Sequence, residues 1–319
     1  MGEMSFRRLG DSGLVVSVVG LGCNNFGGRT DPARSTEVIH AALDAGITLF
    51  DTADIYGGAG RSEEILGSAL NAAGRRDDVV IATKFGYDMA GVNGPDWGAR
   101  GARRYIHRAV ESSLRRLQTD HIDLYQMHAP DPGTPIEETL SALDDLVRDG
   151  KVRYLGNSNF AGWQVADAAW TARVRHLTPF VSAQNDYSLI NREVEAEVIP
   201  ACQRFGLGML PYFPLAAGLL SGKYRRGVPP PEGTRLANAN QATRLARAPW
   251  DVIEALEKYA AERGRTLLDV AIGGLAAQPA VASVIAGATR PEQIPANVAA
   301  GAWRPSTEDL AALNALTRG

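Results

Sequence analysis

Lysine is scarce in this sequence. Of 33 basic residues, Lys84, Lys151, Lys223 and Lys258 are the only lysines, and the other 29 are arginines. Cysteine is scarcer still, with Cys23 and Cys202 alone in 319 residues. Two cysteines cannot build the disulfide framework of a small secreted scaffold, and a reducing cytoplasm is the compartment they fit. Long apolar runs are missing: none approaches the roughly 20 residues that span a bilayer. Residues 1–9 are too polar for a secretory signal. No charge of one sign dominates. The formal net charge is −3, which points to neither a nucleic-acid nor a membrane partner. His40, His107, His121, His128 and His176 fall at no metal-ligand spacing, so no metal is expected. There is no Walker-type phosphate loop and no hydrolase serine elbow.

What is present is ordinary in bulk, with 45% hydrophobic and 22% charged residues, and the length suits one α/β barrel domain spanning residues 1–319. Segments 6–9 and 14–16 flank Gly10, Asp11, Ser12 and Gly13, which predicts an N-terminal β-hairpin. Short apolar runs follow at 15–22, 48–52, 79–84, 122–128, 152–157, 181–185, 208–213 and 281–286. Between them lie stretches with apolar residues at helical spacing: 36–45, 62–72, 103–117, 136–147, 164–174, 194–205 and 249–263. Strands alternating with helices imply parallel strands joined by right-handed crossovers. Eight of them favour a closed (β/α)8 TIM barrel, with a doubly wound open sheet as the rival. Residues 217–248, with Pro229, Pro230 and Pro231, read as the longest loop. Because it follows the seventh strand it should lie on the catalytic face, as a lid or an irregular insertion.

Polar residues that are costly inside a strand cluster at strand C-terminal ends. Asp51 closes the second strand, Lys84 the third and His128 the fourth, while Tyr56 follows Asp51 closely enough to fold back over the mouth. In a parallel barrel these ends share one rim, where active sites sit. A free tyrosine, with a pKa near 10, is a poor acid at neutral pH. A nearby lysine would lower that pKa, and an aspartate would compensate the buried cation. His128 would hydrogen-bond the substrate oxygen or assist proton transfer. Arginine would be a poor replacement for Lys84, since its fork is broad where a point donor is wanted.

The run Phe50-Asp51-Thr52-Ala53-Asp54-Ile55-Tyr56-Gly57 and the run Gly156-Asn157-Ser158-Asn159-Phe160 resemble signatures of the aldo-keto reductase superfamily. The resemblance extends from Gly20-Leu21-Gly22 to Gly287-Ala288-Thr289-Arg290. It implies a catalytic tetrad of Asp51, Tyr56, Lys84 and His128, with Tyr56 the acid in carbonyl reduction and the base in oxidation. It also implies NADPH/NADP+ as cofactor and a small-molecule carbonyl as substrate. Ser158, Asn159 and Gln184 match the residues that hold the nicotinamide carboxamide, and Tyr212 the aromatic that stacks on its ring. Gly22 and Cys23, ending the first strand, join this set together with Asp51. Cys23 reads as a small packing residue rather than a nucleophile, since no base stands near it in sequence.

Barrels often bind phosphate after strands seven and eight. That directs the rest of the cofactor to Phe213, Leu215, Ala216, Gly218, Ser221 and Lys223, then to Gly287, Thr289, Arg290, Gln293 and Asn297. A helix start near Pro291 would add backbone donors. The sequence departs from the family's pattern at Phe213, where relatives often carry serine, and at Ala296, where a glutamate often meets the adenine. Phe26, Tyr87 and Trp97 are expected in the substrate pocket. Some superfamily members serve as cofactor-binding subunits of membrane channels, which is the alternative to an enzyme.

Overall fold

The computed structural model describes residues 4–238 and 241–317. Ala239 and Asn240, within the expected 217–248 loop, and both chain ends lie outside the described residues. The chain opens with the expected hairpin: β1 (Phe6–Arg8) pairs antiparallel with β2 (Val15–Ser17). Its turn needs Gly10, whose φ is +59° and where a β-carbon would stand 2.2 Å from the Gly206 carbonyl oxygen. Arg7 donates to the carbonyls of Ala276 and Val281. Both contacts are to segments that lead into barrel strands, so the hairpin covers the N-terminal end of the barrel.

Residues 15–22 are two strands rather than one. The buried Ser17 accepts from the amide of Thr48 and donates to the Val19 carbonyl, and its own amide donates to the Thr48 hydroxyl. These bonds turn the chain out of the hairpin, and β3 (Val19–Gly22) starts the barrel. It continues with β4 (Leu49–Asp51), β5 (Val80–Phe85), β6 (Ile122–Met127), β7 (Val152–Ser158), β8 (Phe180–Gln184), β9 (Gly208–Met209) and β10 (Val284–Gly287). The order is β10-β3-β4-β5-β6-β7-β8-β9, with every pairing parallel. A Met209–Val281 bridge joins the two edges, with the Met209 amide donating to Ala280 and the Ala282 amide to Met209. This is the (β/α)8 barrel that the alternation predicts.

Between the strands run α1 (Pro32–Asp44), α2 (Arg61–Ala73), α3 (Arg103–Leu117), α4 (Ile136–Arg148), α5 (Gly162–Arg175) and α6 (Val198–Phe205). On α3 the buried Tyr105, Ile106, Ala109, Val110, Leu114 and Leu117 form one stripe, while Arg103, Arg104 and Arg115 face outward. The main core lies between such stripes and the outer face of the sheet. A smaller cluster fills the barrel interior, where Leu9 and Val16 of the hairpin region meet Leu49, Leu124 and Leu210. The expected helix 194–205 is a 3-10 turn (Glu193–Glu195) followed by α6, whose Pro200 sits in the first turn, where its missing N–H costs nothing.

The later third differs most from expectation. The strand expected at 208–213 is regular only at Gly208–Met209, because Pro211 and Pro214 lack ladder donors. Residues 217–248 are not featureless. They hold the end of a 3-10 run (Ala216–Ser221), a 3-10 turn (Arg235–Ala237) and α7 (Ala242–Ala246), and Leu219, Leu220, Tyr224 and Leu236 are buried there. Then come α8 (Trp250–Glu262), α9 (Leu267–Ala276), α10 (Gln293–Gly301) and α11 (Thr307–Thr317). Among the described residues no helix is long and apolar enough to cross a membrane.

Candidate active site

The parallel register brings the strand-end polar residues together. Lys84 Nζ, with no exposed surface, donates to Asp51 Oδ2 at 2.7 Å and to the Thr52 carbonyl at 2.8 Å. Its third neighbour is the Tyr56 hydroxyl at 3.5 Å. The other carboxylate oxygen, Oδ1, accepts from Gln184 at 2.8 Å and from Gln126 at 3.2 Å. Room for that amide pair comes from Gly156, where a β-carbon would lie 3.0 Å from Gln126 and 2.3 Å from Ser182. Burial works against the Lys84 charge, but Asp51 and Tyr56 together outweigh it and raise its pKa above the ordinary value.

Tyr56 behaves differently from the sequence expectation. Lys84 does favour the phenolate, yet burial is the larger influence and the hydroxyl's pKa stands above its ordinary value. The phenol therefore keeps its proton throughout the neutral range, and the ammonium limits the rise rather than reversing it. His128 closes the other side. Its ring meets Tyr56 edge-on at 5.7 Å and lies 4.1 Å from Tyr87. Burial, assisted by Lys84, pushes its pKa down to about 2, so the imidazole is neutral, and its buried Nδ1 has no hydrogen-bond partner among the described residues.

These groups face a cleft of about 680 Å³, within the roughly 300–1,000 Å³ range of small-ligand sites. Gly22, Asp51, Tyr56, Tyr87, His128, Ser158, Asn159, Gln184 and Tyr212 line one end. Asn159, in the left-handed region at φ +61°, donates to the His128 carbonyl and to Ser158, and accepts from the Tyr212 hydroxyl at 2.7 Å. Phe213, Leu215, Gly218, Ser221, Lys223, Gly287, Thr289, Arg290, Gln293 and Asn297 line the remainder. Two of the four lysines thus serve the cleft, one beneath its floor and one on its wall.

Several expected residues fall elsewhere. Cys23 and Phe26 are fully buried in the core and do not line the cleft. Trp97 is 70% exposed and packs against the Arg104 guanidinium, away from the mouth. Ala216 is absent from the wall, although it belongs to a strained run in which Phe213, Ala216 and Ala217 all have positive φ. Such conformations cost about 1–3 kcal/mol each and gather at ligand clamps. The backbone donors expected near Pro291 are already engaged, since the Thr289 and Arg290 amides both donate to Gln293 Oε1.

Sequence reasoning missed Asn24, Asn25 and Arg29, and it placed the strap that starts at residue 217 on this face without singling out Glu232, Gly233, Thr234 and Arg235; all of these line the cleft. Asn25 ties the strap to the barrel, donating to the Ala288 carbonyl and accepting from Arg235 at 3.0 Å. Arg235 also lies 5.5 Å from the Phe213 ring. The proline cluster marked the strap, but no spacing pattern marked its partner 210 residues away.

Comparison with known proteins places a barrel with this rim in an oxidoreductase class. The aldo/keto reductase family model matches residues 18–318. The uncharacterized oxidoreductase YrpG of Bacillus subtilis is 41% identical over 303 residues, covering 91% of this chain and 89% of that one. A probable voltage-gated potassium channel subunit beta of Oryza sativa subsp. japonica is 36% identical over 304 residues, covering 93% and 91%. The L-glyceraldehyde 3-phosphate reductase of Escherichia coli K12 is 34% identical over 310 residues, covering 94% and 88%. The chain belongs to the aldo/keto reductase family and is an NAD(P)H-dependent oxidoreductase.

The neutral His128 has a measurable consequence. The unfolded chain takes up a proton near pH 6.5, whereas the folded site resists it down to about pH 2. Stability from this group is therefore intact above pH 6.5 and lost as pH falls below it, by about 2 kcal/mol at pH 5. Urea midpoints at pH 7 and pH 5 should separate less in His128→Gln than in wild type. An equal separation would mean that His128 takes up its proton in the folded state as it does in the unfolded one.

Proposed function

We propose that the protein reduces an aldehyde or ketone to the alcohol, reversibly, with NADPH as cofactor and Tyr56 as the proton donor. The observation that carries this reading is the Tyr56 hydroxyl, lining a ligand-sized cleft with the buried, carboxylate-paired Lys84 ammonium 3.5 Å behind it. The cleft's chemistry fits a phosphorylated dinucleotide. Arg29, Lys223, Arg235 and Arg290 line it, against Glu232 and the already paired Asp51.

Ser158, Asn159, Gln184 and Tyr212 would hold the nicotinamide end, with Gly22 at the same rim. Phe213, Leu215, Gly218, Ser221 and Lys223 would carry the phosphates, and Gly287, Thr289, Arg290, Gln293 and Asn297 the adenosine side. NADPH, when bound, supplies the hydride. The carbonyl oxygen sits between Tyr56 and His128, and the neutral imidazole donates one hydrogen bond to it. As negative charge develops on that oxygen, the Tyr56 hydroxyl gives up its proton. Lys84 then stabilises the phenolate, and Asp51, fixed by Gln126 and Gln184, keeps Lys84 charged and in place. In the reverse direction the phenolate is the base. Lacking a disulfide framework, the enzyme is assigned to the cytoplasm.

Similarity to the rice channel subunit favours a second reading, a cofactor-binding regulatory subunit with little turnover. Turnover of a simple aldehyde separates the two. Tyr56→Phe removes one hydroxyl, so kcat should fall by at least about 10²- to 10⁴-fold, the usual worth of acid catalysis. NADPH affinity, followed by fluorescence titration, should stay near wild type. Full carbonyl reduction by the purified variant would overturn the mechanism.

Choice of cofactor rests on Arg290, an arginine on the turn between β10 and α10 with no side-chain ion pair among the described residues. A charge-assisted bond to the ribose 2′-phosphate is worth about 1.5–3 kcal/mol. Arg290→Ala should therefore raise the NADPH dissociation constant by about 10- to 150-fold and leave that of NADH nearly unchanged. Equal weakening of both would show that Arg290 does not discriminate.

A further inference from the structure

The loop between β5 and α3, residues 86–102, carries Tyr87 to the mouth of the cleft, against His128. Little apolar surface holds this loop down. From residue 86 to residue 100 only Met89 and Asn93 are buried, and Val92 and Trp97 face solvent. Met89 is an ordinary hydrophobic anchor. Asn93 is a polar side chain, 3% exposed, placed in a crevice that a bare loop would not fill.

Every polar atom of the Asn93 amide group is engaged. Its Nδ2 donates to Asp54 Oδ2 at 2.9 Å and to the Tyr105 hydroxyl at 3.4 Å, and its Oδ1 accepts from Arg116 at 3.3 Å. Tyr105 passes the connection back, donating to the Tyr87 carbonyl. Asp54 lies on the Tyr56 turn, and its amide donates to the Lys84 carbonyl at 3.1 Å. Arg116 also binds the buried Glu63, which accepts from Thr83, the residue before Lys84. Asn93 therefore joins three things: the loop that bears Tyr87, the turn that bears Tyr56, and the strand that bears Lys84.

We propose that Asn93 is a positioning residue for substrate selection. It pins loop 86–102 to the Tyr56 turn, holds Tyr87 over His128, and so sets the bulk of carbonyl compound that reaches Tyr56. The inference rests on the carbonyl-reductase reading for its catalytic consequence, but the pin itself is a property of the loop. The Asp54 end of the joint supports it. Burial first, and then Glu63, push that carboxyl up to about 8, so at neutral pH it is mostly uncharged and meets Asn93 as one neutral polar group meets another. Asp54→Asn therefore preserves the joint, which provides a rescue control.

The test uses the full-length enzyme with NADPH, one small aldehyde and one bulky aromatic aldehyde, together with hydrogen–deuterium exchange read by mass spectrometry. In Asn93→Ala the peptides covering 86–100 should exchange faster, while those of β4, β5 and β6 remain as in wild type. The KM for the small aldehyde should rise about tenfold, the scale of one lost buried hydrogen bond, with kcat within about twofold. The ratio of kcat/KM for the bulky over the small aldehyde should rise severalfold. Asp54→Asn should resemble wild type in all three readings. Unchanged exchange in 86–100 overturns the proposal, as does an equal loss of kcat with both aldehydes, or a collapse of Asp54→Asn to the Asn93→Ala behaviour. If wild-type enzyme reduced neither aldehyde, the proposed function would fall, and the exchange result would still decide whether Asn93 pins the loop.

Discussion

Removing the Lys84 ammonium from water costs several kcal/mol unless other groups replace its hydration. Asp51, the Thr52 carbonyl and the Tyr56 hydroxyl do so, and the rim of strand ends is arranged around that requirement. Asp51 in turn needs partners for its second oxygen, and Gln126 and Gln184 supply them from strands farther round the barrel. Four strand ends are thus tied to one cation. The order of the strands makes this possible, since β4, β5 and β6 are consecutive neighbours and their C-terminal ends share one rim. Tyr56 reaches the same cation from a loop, and the cation limits the rise that burial imposes on its pKa.

The wider cleft follows a different principle. Its walls come from irregular backbone: the segment from Phe213 to Gly218, in which Phe213, Ala216, Ala217 and Gly218 have positive φ, the Asn25–Arg235 tie, and the turn that Gln293 caps. Irregular segments can bring backbone and cations close to an extended anionic ligand, where regular strands and helices spend their donors on themselves. The stiff rim and the irregular cradle meet at Asn159 and Tyr212, whose hydrogen bond joins the end of β7 to the start of the strained run.

Much of the fold could be read from the chain, because each barrel strand is short, apolar and followed by a helical stripe. The rim could be read for the same reason: Asp51, Lys84 and His128 are costly residues at the ends of apolar runs, and a chain so poor in lysine made Lys84 conspicuous. Other features left no periodic trace. Leu267–Ala276 lacks a polar face, since nearly all of it is buried, and its start is marked only by the Thr266–Asp269 capping box. Phe26 follows the first barrel strand, where a pocket aromatic was expected, but it turns inward and packs in the core. Trp97 extends outward, with the Arg104 guanidinium over its ring. The strap acts through tertiary contacts, Arg235 with Asn25 above all, and no local spacing encodes a contact across 210 residues. The Tyr56 pKa moves up rather than down because burial, which a sequence does not display, exceeds the influence of the lysine.

On the proposed mechanism the Lys84 charge, held by Asp51, limits the upward shift of the Tyr56 pKa and so sets its strength as an acid. The most direct test is the pH dependence of kcat for aldehyde reduction in wild type and Lys84→Met. Loss of the cation removes an influence that lowers the Tyr56 pKa, so the phenol should hold its proton to higher pH. Lys84→Met should be a slower enzyme whose activity declines at a higher pH than that of wild type. A Lys84→Met enzyme whose pH–rate profile overlays that of wild type, at whatever rate, would contradict it.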